Sequence, residues 1–345
     1  MTESEQLIQA FDNRARRRDE RRDLFRMVVG AAAVGAGAFA FASPAAAQTV
    51  TDADILNFAL NLEYLEANFY SYAAFGLPIE EYAPGRVGIT GVGTPVSAST
   101  VTNAAGVRLN AGARKVNFTD PVVAQYAKEI AQDEIAHVAF LRSTLGATSA
   151  VAQPAIDVGI TPNGAFSSAA RAAGFIGATT DAAPTSFDPY ASDLNFLYGA
   201  FIFEDVGVTA YKGSSALLTN KTYLDAAAGI LAAEAYHAAI VRTTIDQLGG
   251  GKGLKGATIR DDTELVSGAR DSLDGTTDLD QGIAYVSSGA GPTSNIVPTD
   301  TNGLAFGRSA AQVLNIVYLN KAQVSAGGFF PAGVNGTIKA SANNA

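Results

Sequence analysis

Apolar residues recur at helical spacing along four long stretches of the chain. In the first, Leu56, Ala59, Leu60, Leu62, Leu65 and Phe69 predict a helix from Ile55 to Phe75, opening at Thr51-Asp52. The second opens at Asp120-Pro121, where proline's missing N–H costs little, and runs to Leu145 before Gly146. A third covers about 192–211. Asn220 caps a fourth, which runs to Leu248 and stops at Gly249-Gly250-Gly251. Between them, 76–117 is a long loop dense in Gly, Thr, Val and Pro, and 147–189 is irregular with one short helix near 167–173. Beyond the fourth helix the chain is loop-rich, with one more helix over about 309–321. Four long helices joined by long connections predict an all-α fold: a four-helix bundle with long loop insertions and an additional C-terminal helix.

The segment before the first helix has a different pattern. Residues 1–26 are polar and rich in Arg, including Arg14, Arg16, Arg17, Arg18, Arg21 and Arg22. Met27 to Ala42 is apolar and uncharged, and Ser43-Pro44-Ala45-Ala46-Ala47 follows. Basic, apolar and small-residue regions in that order are the plan of an export signal, and the apolar stretch is short for a membrane span. Arg21-Arg22, with Leu24-Phe25 behind it, resembles a twin-arginine signal. The expected division is a signal peptide at 1–47, a bundle at 48–250 and an extension at 251–345. The mature chain is expected in the periplasm or outside the cell, with no stable membrane insertion after cleavage.

Composition narrows the chemistry. The 345 residues are 48% hydrophobic and 17% charged, enough for a sizeable core. A net charge of -9 argues against nucleic acid as a partner. With no Cys, thiolate metal sites, disulfides and Cys nucleophiles are excluded. Asp261, Asp262, Asp271, Asp274, Asp278 and Asp280 lack the spacing of an EF-hand and read as a solvated loop.

The chain has only two His, and both lie in the same pattern. Glu134-Ile135-Ala136-His137 on the second helix matches Glu234-Ala235-Tyr236-His237 on the fourth, and Arg142 and Arg242 follow each His by five residues. Residues i and i+3 share a helix face, so carboxylate and imidazole project together as metal ligands must. The first and third helices repeat more faintly: Glu63 precedes Tyr70 by seven residues, as Glu204 precedes Tyr211. A carboxylate on so apolar a helix needs a cation or a charge partner. Arg142 and Arg242 are the alternative partners for these Glu. Glu66 could share the face of Glu63, but its counterpart is Gly207, so Glu63 is taken as the ligand and Glu66 as an extra or supporting group. Asp133, Asp205 and Glu129 read as helix-surface or supporting acids.

One Glu from each of two helices and Glu-x-x-His from each of the other two is the di-iron or di-manganese carboxylate pattern of ferritin-like bundles. The chain also resembles the desiccation-related branch of that superfamily. The resemblance lies in Leu56-Asn57-Phe58-Ala59-Leu60-Asn61-Leu62-Glu63-Tyr64-Leu65-Glu66-Ala67, Asp133-Glu134-Ile135-Ala136-His137-Val138, the run Phe203 to Tyr211, and Gly327-Gly328-Phe329-Phe330-Pro331-Ala332-Gly333-Val334-Asn335-Gly336. It implies a ferritin-like fold and a role in stress, without a settled reaction.

The expected metal ligands are Glu63, Glu134, His137, Glu204, Glu234 and His237, with Tyr70 and Tyr211 bonding the carboxylates. Four carboxylates balance two divalent ions, and this donor set suits two Fe or two Mn ions. Three functions follow. One is an oxidoreductase acting on oxygen or peroxide, of ferroxidase, peroxidase or catalase type. Another is a non-catalytic stress protein in which metals or a polar network staple the bundle. The third, iron storage in a cage, is disfavoured by the long insertions, which spoil smooth outer faces.

Overall fold

The computed structural model describes residues 50–178, 184–284, 286–288 and 291–345. The expected export signal at 1–47 lies outside the described residues.

Each long helix starts at a side chain that satisfies its free N–H groups. Thr51 and Asp54 form a capping box on α1 (Asp52–Phe75), and Gly76 ends it with φ 83°. A single turn, α2 (Ile79–Tyr82), sits in the loop that follows. Asp120 accepts from Val122 N at the start of α3 (Pro121–Leu145). The short α4 (Ala165–Ala172) precedes α5 (Asp193–Ser215), which Ser192 caps. Asn220 caps α6 (Lys221–Leu248). These four long helices make the bundle, with α1 packed chiefly on α3 and α5 on α6.

The helix starts also hold the two pairs together. Asp52, in the first turn of α1, accepts bonds from Thr219 N, Thr219 Oγ1 and Asn220 N at the start of α6. Asp193, in the first turn of α5, accepts from Thr119 N, Thr119 Oγ1 and Asp120 N at the start of α3. Those backbone bonds hold the exposed Asp52 carboxyl below its usual range. Each Asp stands eleven residues before its helix's candidate ligand, Glu63 or Glu204, so the internal repeat reaches the ends of the bundle.

Helices α1 and α5 are buried on nearly every face. Phe69 is the hub, with Phe196 stacked at 5.8 Å and Phe203 edge-on at 5.5 Å. α6 is long and apolar enough to cross a membrane by length and composition. Its buried positions nonetheless include Glu234, His237 and Arg242, and they face the bundle.

The region after α6 departs from expectation. A helix, α7 (Ile259–Asp274), stands where a loop was expected, capped by Thr258 and Asp261. Its buried positions are Ile259, Asp262, Thr263, Val266, Ser267, Arg270 and Asp274, spaced as a helix face but mostly polar. The expectation of a solvated acidic loop is thereby corrected. Asp262 is fully buried and bonds Tyr198 Oη, Lys255 N and Gly256 N. Asp274 and Asp280 are buried against Arg308, at 2.5 and 2.6 Å. A short hairpin, β1 (Val286–Ser288) with β2 (Gly291–Thr293), precedes the last helix, α8 (Ala310–Val317). The closing segment returns to α1, where Asn61 and Asn335 exchange side-chain and backbone bonds of 2.9 and 3.0 Å.

Arg308 has no exposed surface, and it joins Asp274, Asp280 and Thr209. Arg308→Ala should therefore strand the buried Asp274 carboxylate, leave Asp280 to Arg270 alone, and lower unfolding free energy by about 3–5 kcal/mol. Chemical denaturation measures it; a change under about 0.5 kcal/mol would mean the network is solvated in solution.

Candidate metal centre

All four long helices point a carboxylate at one place inside the bundle. Glu63 of α1, Glu134 of α3, Glu204 of α5 and Glu234 of α6 are each no more than 1% exposed. His137 and His237 follow Glu134 and Glu234 by three residues and turn Nδ1 inward. His137 Nδ1 lies 3.2 Å from Glu63 Oε2, 3.4 Å from Glu134 Oε2 and 3.8 Å from Glu234 Oε1. His237 Nδ1 lies 3.1 Å from Glu134 Oε1 and 3.6 Å from Glu204 Oε2. The ring centroids are 6.3 Å apart. Among the described residues, one group (Glu63, Glu134, His137, Glu234) and a second (Glu134, Glu204, His237) each offer ligand atoms within 4.8 Å of one another. Glu134 belongs to both, with one oxygen toward each His.

Hydrogen bonding tests whether these residues suit a cation. Among the described residues ten buried side-chain atoms lack a hydrogen-bond partner, and six are here: both oxygens of Glu134 and of Glu234, Glu204 Oε2 and His237 Nδ1. Buried polar atoms are ordinarily paired, and orphans are costly. His237 Nδ1 and Glu134 Oε1 approach to 3.1 Å without the alignment of a hydrogen bond. Donor atoms held about 2.1 Å from one ion lie roughly 3–4 Å from each other, which is the spacing seen here. The residues fit a pair of cations that replace the missing hydrogen bonds.

The surroundings orient the donors. Tyr70 of α1 donates to Glu204 Oε1 of α5, and Tyr211 of α5 donates to Glu63 Oε1 of α1. Each tyrosine thus fixes the carboxylate of the opposite helix and turns its other oxygen toward the centre, where Glu63 Oε2 meets His137 Nδ1. Asp133 Oδ2 lies 3.2 Å from His237 Nε2, the nitrogen facing away from the centre. A carboxylate there favours the tautomer with its proton on Nε2 and a lone pair on Nδ1. His137 has no equivalent acid, because Ala233 stands where the repeat would place one.

The charges show how a cation would suit this cluster. Burial, opposed by His137, raises the Glu63 carboxyl to about 7. Burial likewise raises Glu204 to about 8 against the pull of His237. Glu66 and Glu234 are pushed well above the carboxylate range by burial and then by neighbouring carboxylates. Burial would also raise Glu134, but its two His neighbours hold it far below its usual value. Burial disfavours the imidazolium of either His, yet Glu63 and Glu134 lift His137, and Glu204, Asp133 and Glu134 lift His237, to about 11. Without metal, protons must do the work of cations.

The two Arg alternatives go elsewhere. Arg142 bonds Tyr64 Oη at 2.5 Å and Thr90 O at 2.7 Å. Arg242 is buried and pairs with Asp205 at 2.8 Å. Asp205 is 4% exposed and also meets Arg270 at 3.2 Å, so it is no surface acid. Its neighbours Phe203, Val206 and Gly207 carried that signal, since nearly every position from Phe196 to Tyr211 of so apolar a helix is buried. Glu129 is exposed, as read from the sequence.

Comparison with known proteins gives the same frame. The chain is 29% identical over 290 residues to a desiccation-related protein of Craterostigma plantagineum, covering 83% of each. It is 24% identical over 292 residues to the ferritin-like catalase Nec2 of Nesocodon mauritianus, covering 83% of this chain and 84% of that one. No solved structure matches. The model of the ferritin-like domain matches residues 51–247, which run from the cap of α1 to the last turn of α6 and span every candidate ligand. With more than half its length matched and the carboxylate and histidine pattern in place, the chain belongs to the ferritin-like domain family.

Proposed function

We propose that this is an exported protein whose Glu63, Glu134, His137, Glu204, Glu234 and His237 hold two Fe or two Mn ions, and that it reacts with oxygen or peroxide in stress protection. The observation that carries the reading is the convergence of six buried, unpartnered donor atoms on two groups that share Glu134. Carboxylate and imidazole without thiolate favour hard to borderline metals. Such a pair, when bound, supplies electrons one or two at a time to an oxidant at low driving force. The chain's own part is to fix the donors through Tyr70, Tyr211 and Asp133, exclude bulk water, and keep four carboxylates ionised opposite 4+. The catalase name of one relative supports peroxide as the oxidant.

The basic and apolar leader supports export by the twin-arginine route to the periplasm or beyond, with the centre loaded before transport. The name of the desiccation-related relative supports the second reading, in which the cations staple the bundle without turnover.

Elemental analysis of the mature protein, purified without chelator, should find about two Fe or Mn per chain. His137→Ala/His237→Ala should lose them and melt lower, because binding free energy adds to folding free energy. Unchanged metal content and melting in that variant would sink the assignment. Metal with no spectral change under oxygen or peroxide would favour the staple.

A further inference from the structure

The two sides of the centre differ at one pair of positions. Glu66 on α1 corresponds to Gly207 on α5. A Cβ at 207 would lie 2.4 Å from Glu234 Oε2, so the missing side chain is what makes room for that carboxylate, and at 3.5 Å it would just touch Glu66 Oε1. Glu66 is 6% exposed and receives no hydrogen bond from any described residue. It sits instead among the charges of Glu134, Glu204, Glu63 and His237.

Glu66 also lines a cavity. Its other walls are apolar, among them Leu65, Ile202, Val206, Ile316 and Phe329. A second cavity lies outward of it, between α4, α5, α7 and α8, and the two share Ile202 and Ile316 as walls. The outer one reaches the surface at Ala172, Leu273 and Leu319, which are exposed or half-buried. The inner and outer cavities leave about 20 and 30 Å³ to the centre of a water-sized guest. One water needs about 10–15 Å³ and two or more polar partners; the polar side chains in these walls are Glu66, Tyr198 and Arg270, and Tyr198 is already bonded to Asp262. Arg270, in the outer wall, is already engaged by Phe201 O, Asp205 and Asp280. A third cavity, lined by Ile55, Leu62, Leu218 and Ala227, ends on Tyr211, whose hydroxyl is tied to Glu63. That approach is closed by a bonded tyrosine, whereas the Glu66 side is not.

We propose that the paired cavities are the passage by which dioxygen reaches or leaves the carboxylate centre, from the surface at Leu319 past Ile202 and Ile316 to Glu66. The inference rests on the function proposed above. Apolar walls suit dioxygen, which forfeits no hydrogen bonds on entry; peroxide would forfeit several. Gly207, in the wall of the inner cavity, lies against Glu234 Oε2, so the inner end of the passage stops one residue short of a candidate ligand.

Xenon reports apolar cavities independently of any redox chemistry. Crystals of the full chain under xenon pressure should show xenon in the inner cavity, and Ile316→Phe should remove it. In the reduced, metal-loaded protein, Ile316→Phe should slow oxidation by dissolved dioxygen by about tenfold with metal content unchanged. Leu218→Phe, which fills the third cavity, should leave that rate as it was. No xenon in the wild-type cavities overturns the passage, as does a full rate in Ile316→Phe, or an equal slowing of peroxide. Absence of any reaction between the loaded wild type and either oxidant overturns the proposed function along with it.

Discussion

Glu134→Ala is expected to cost the protein one cation and to loosen its hold on the other, whereas Glu204→Ala is expected to cost one and leave the other tightly held. Glu134 is the single carboxylate common to both ligand groups, with Oε2 3.4 Å from His137 and Oε1 3.1 Å from His237. Without it the first group keeps Glu63, His137 and Glu234, and the second keeps only Glu204 and His237. Two protein donors do not hold a divalent ion against water and buffer. Glu204→Ala removes a donor from the second group alone and leaves the first whole. Metal per chain should fall from about two to about one in both variants, and a competing chelator should remove that last ion far more readily from the Glu134→Ala protein. Circular dichroism would confirm that both remain helical. A Glu134→Ala protein that keeps its full complement would mean that the groups do not share a bridging ligand.

The metal-free protein should lose stability as pH rises from about 5 to about 9, by on the order of 5–10 °C in Tm. Glu63 and Glu204 give up their protons near 7 and 8 in the folded state, against about 4.3 in an unfolded chain. Glu66 and Glu234 shift in the same direction. His137 and His237 stay protonated to about 11, against about 6.5 unfolded. Each of the six groups binds at least as many protons folded as unfolded throughout this window, the Glu differing in its lower part and the His in its upper part. Their contribution is full below the unfolded values and is lost as pH climbs toward the folded ones. Glu134 has the opposite sign, but it acts only below the window, where falling pH would protonate it. Cations replace these protons, so loaded protein should show a flatter profile, and metal affinity should rise with pH. Melting curves of chelator-stripped and reloaded protein decide it. A stripped protein that gains stability toward pH 9 would contradict the charge account.

The bundle was legible because its helices carry their own punctuation. Asp120-Pro121 and Gly146 bound α3 and Asn220 caps α6, as read from the chain. The repeated Glu-x-x-His and the Glu–Tyr spacing picked out the residues that the fold brings together. What escaped did so for physical reasons. The buried face of α7 is mostly polar, with Asp262, Arg270 and Asp274 facing partners supplied by other elements. Hydrophobic periodicity is blind to a face stabilised by ion pairs. Asp133 reads from the chain as either a surface or a supporting acid, and only His237 Nε2 beside it decides between the two. Asp52 and Asp193 did leave a signal, eleven residues before each Glu, in the same repeat that revealed the ligands.

Those reciprocal contacts have the form of a twofold interface folded into one polypeptide. The α1–α3 unit offers Asp52 and Tyr70 to the α5–α6 unit, and receives Asp193 and Tyr211 in return. In a true homodimer such an isologous surface binds both partners to the same residue at every position. Position 66 would then be Glu on both sides or Gly on both, either crowding the centre with two extra carboxylates or supplying none. Tandem fusion releases that constraint. The ligands keep their symmetry, while the flanks are free to specialise, one holding Glu66 and the other the gap at Gly207.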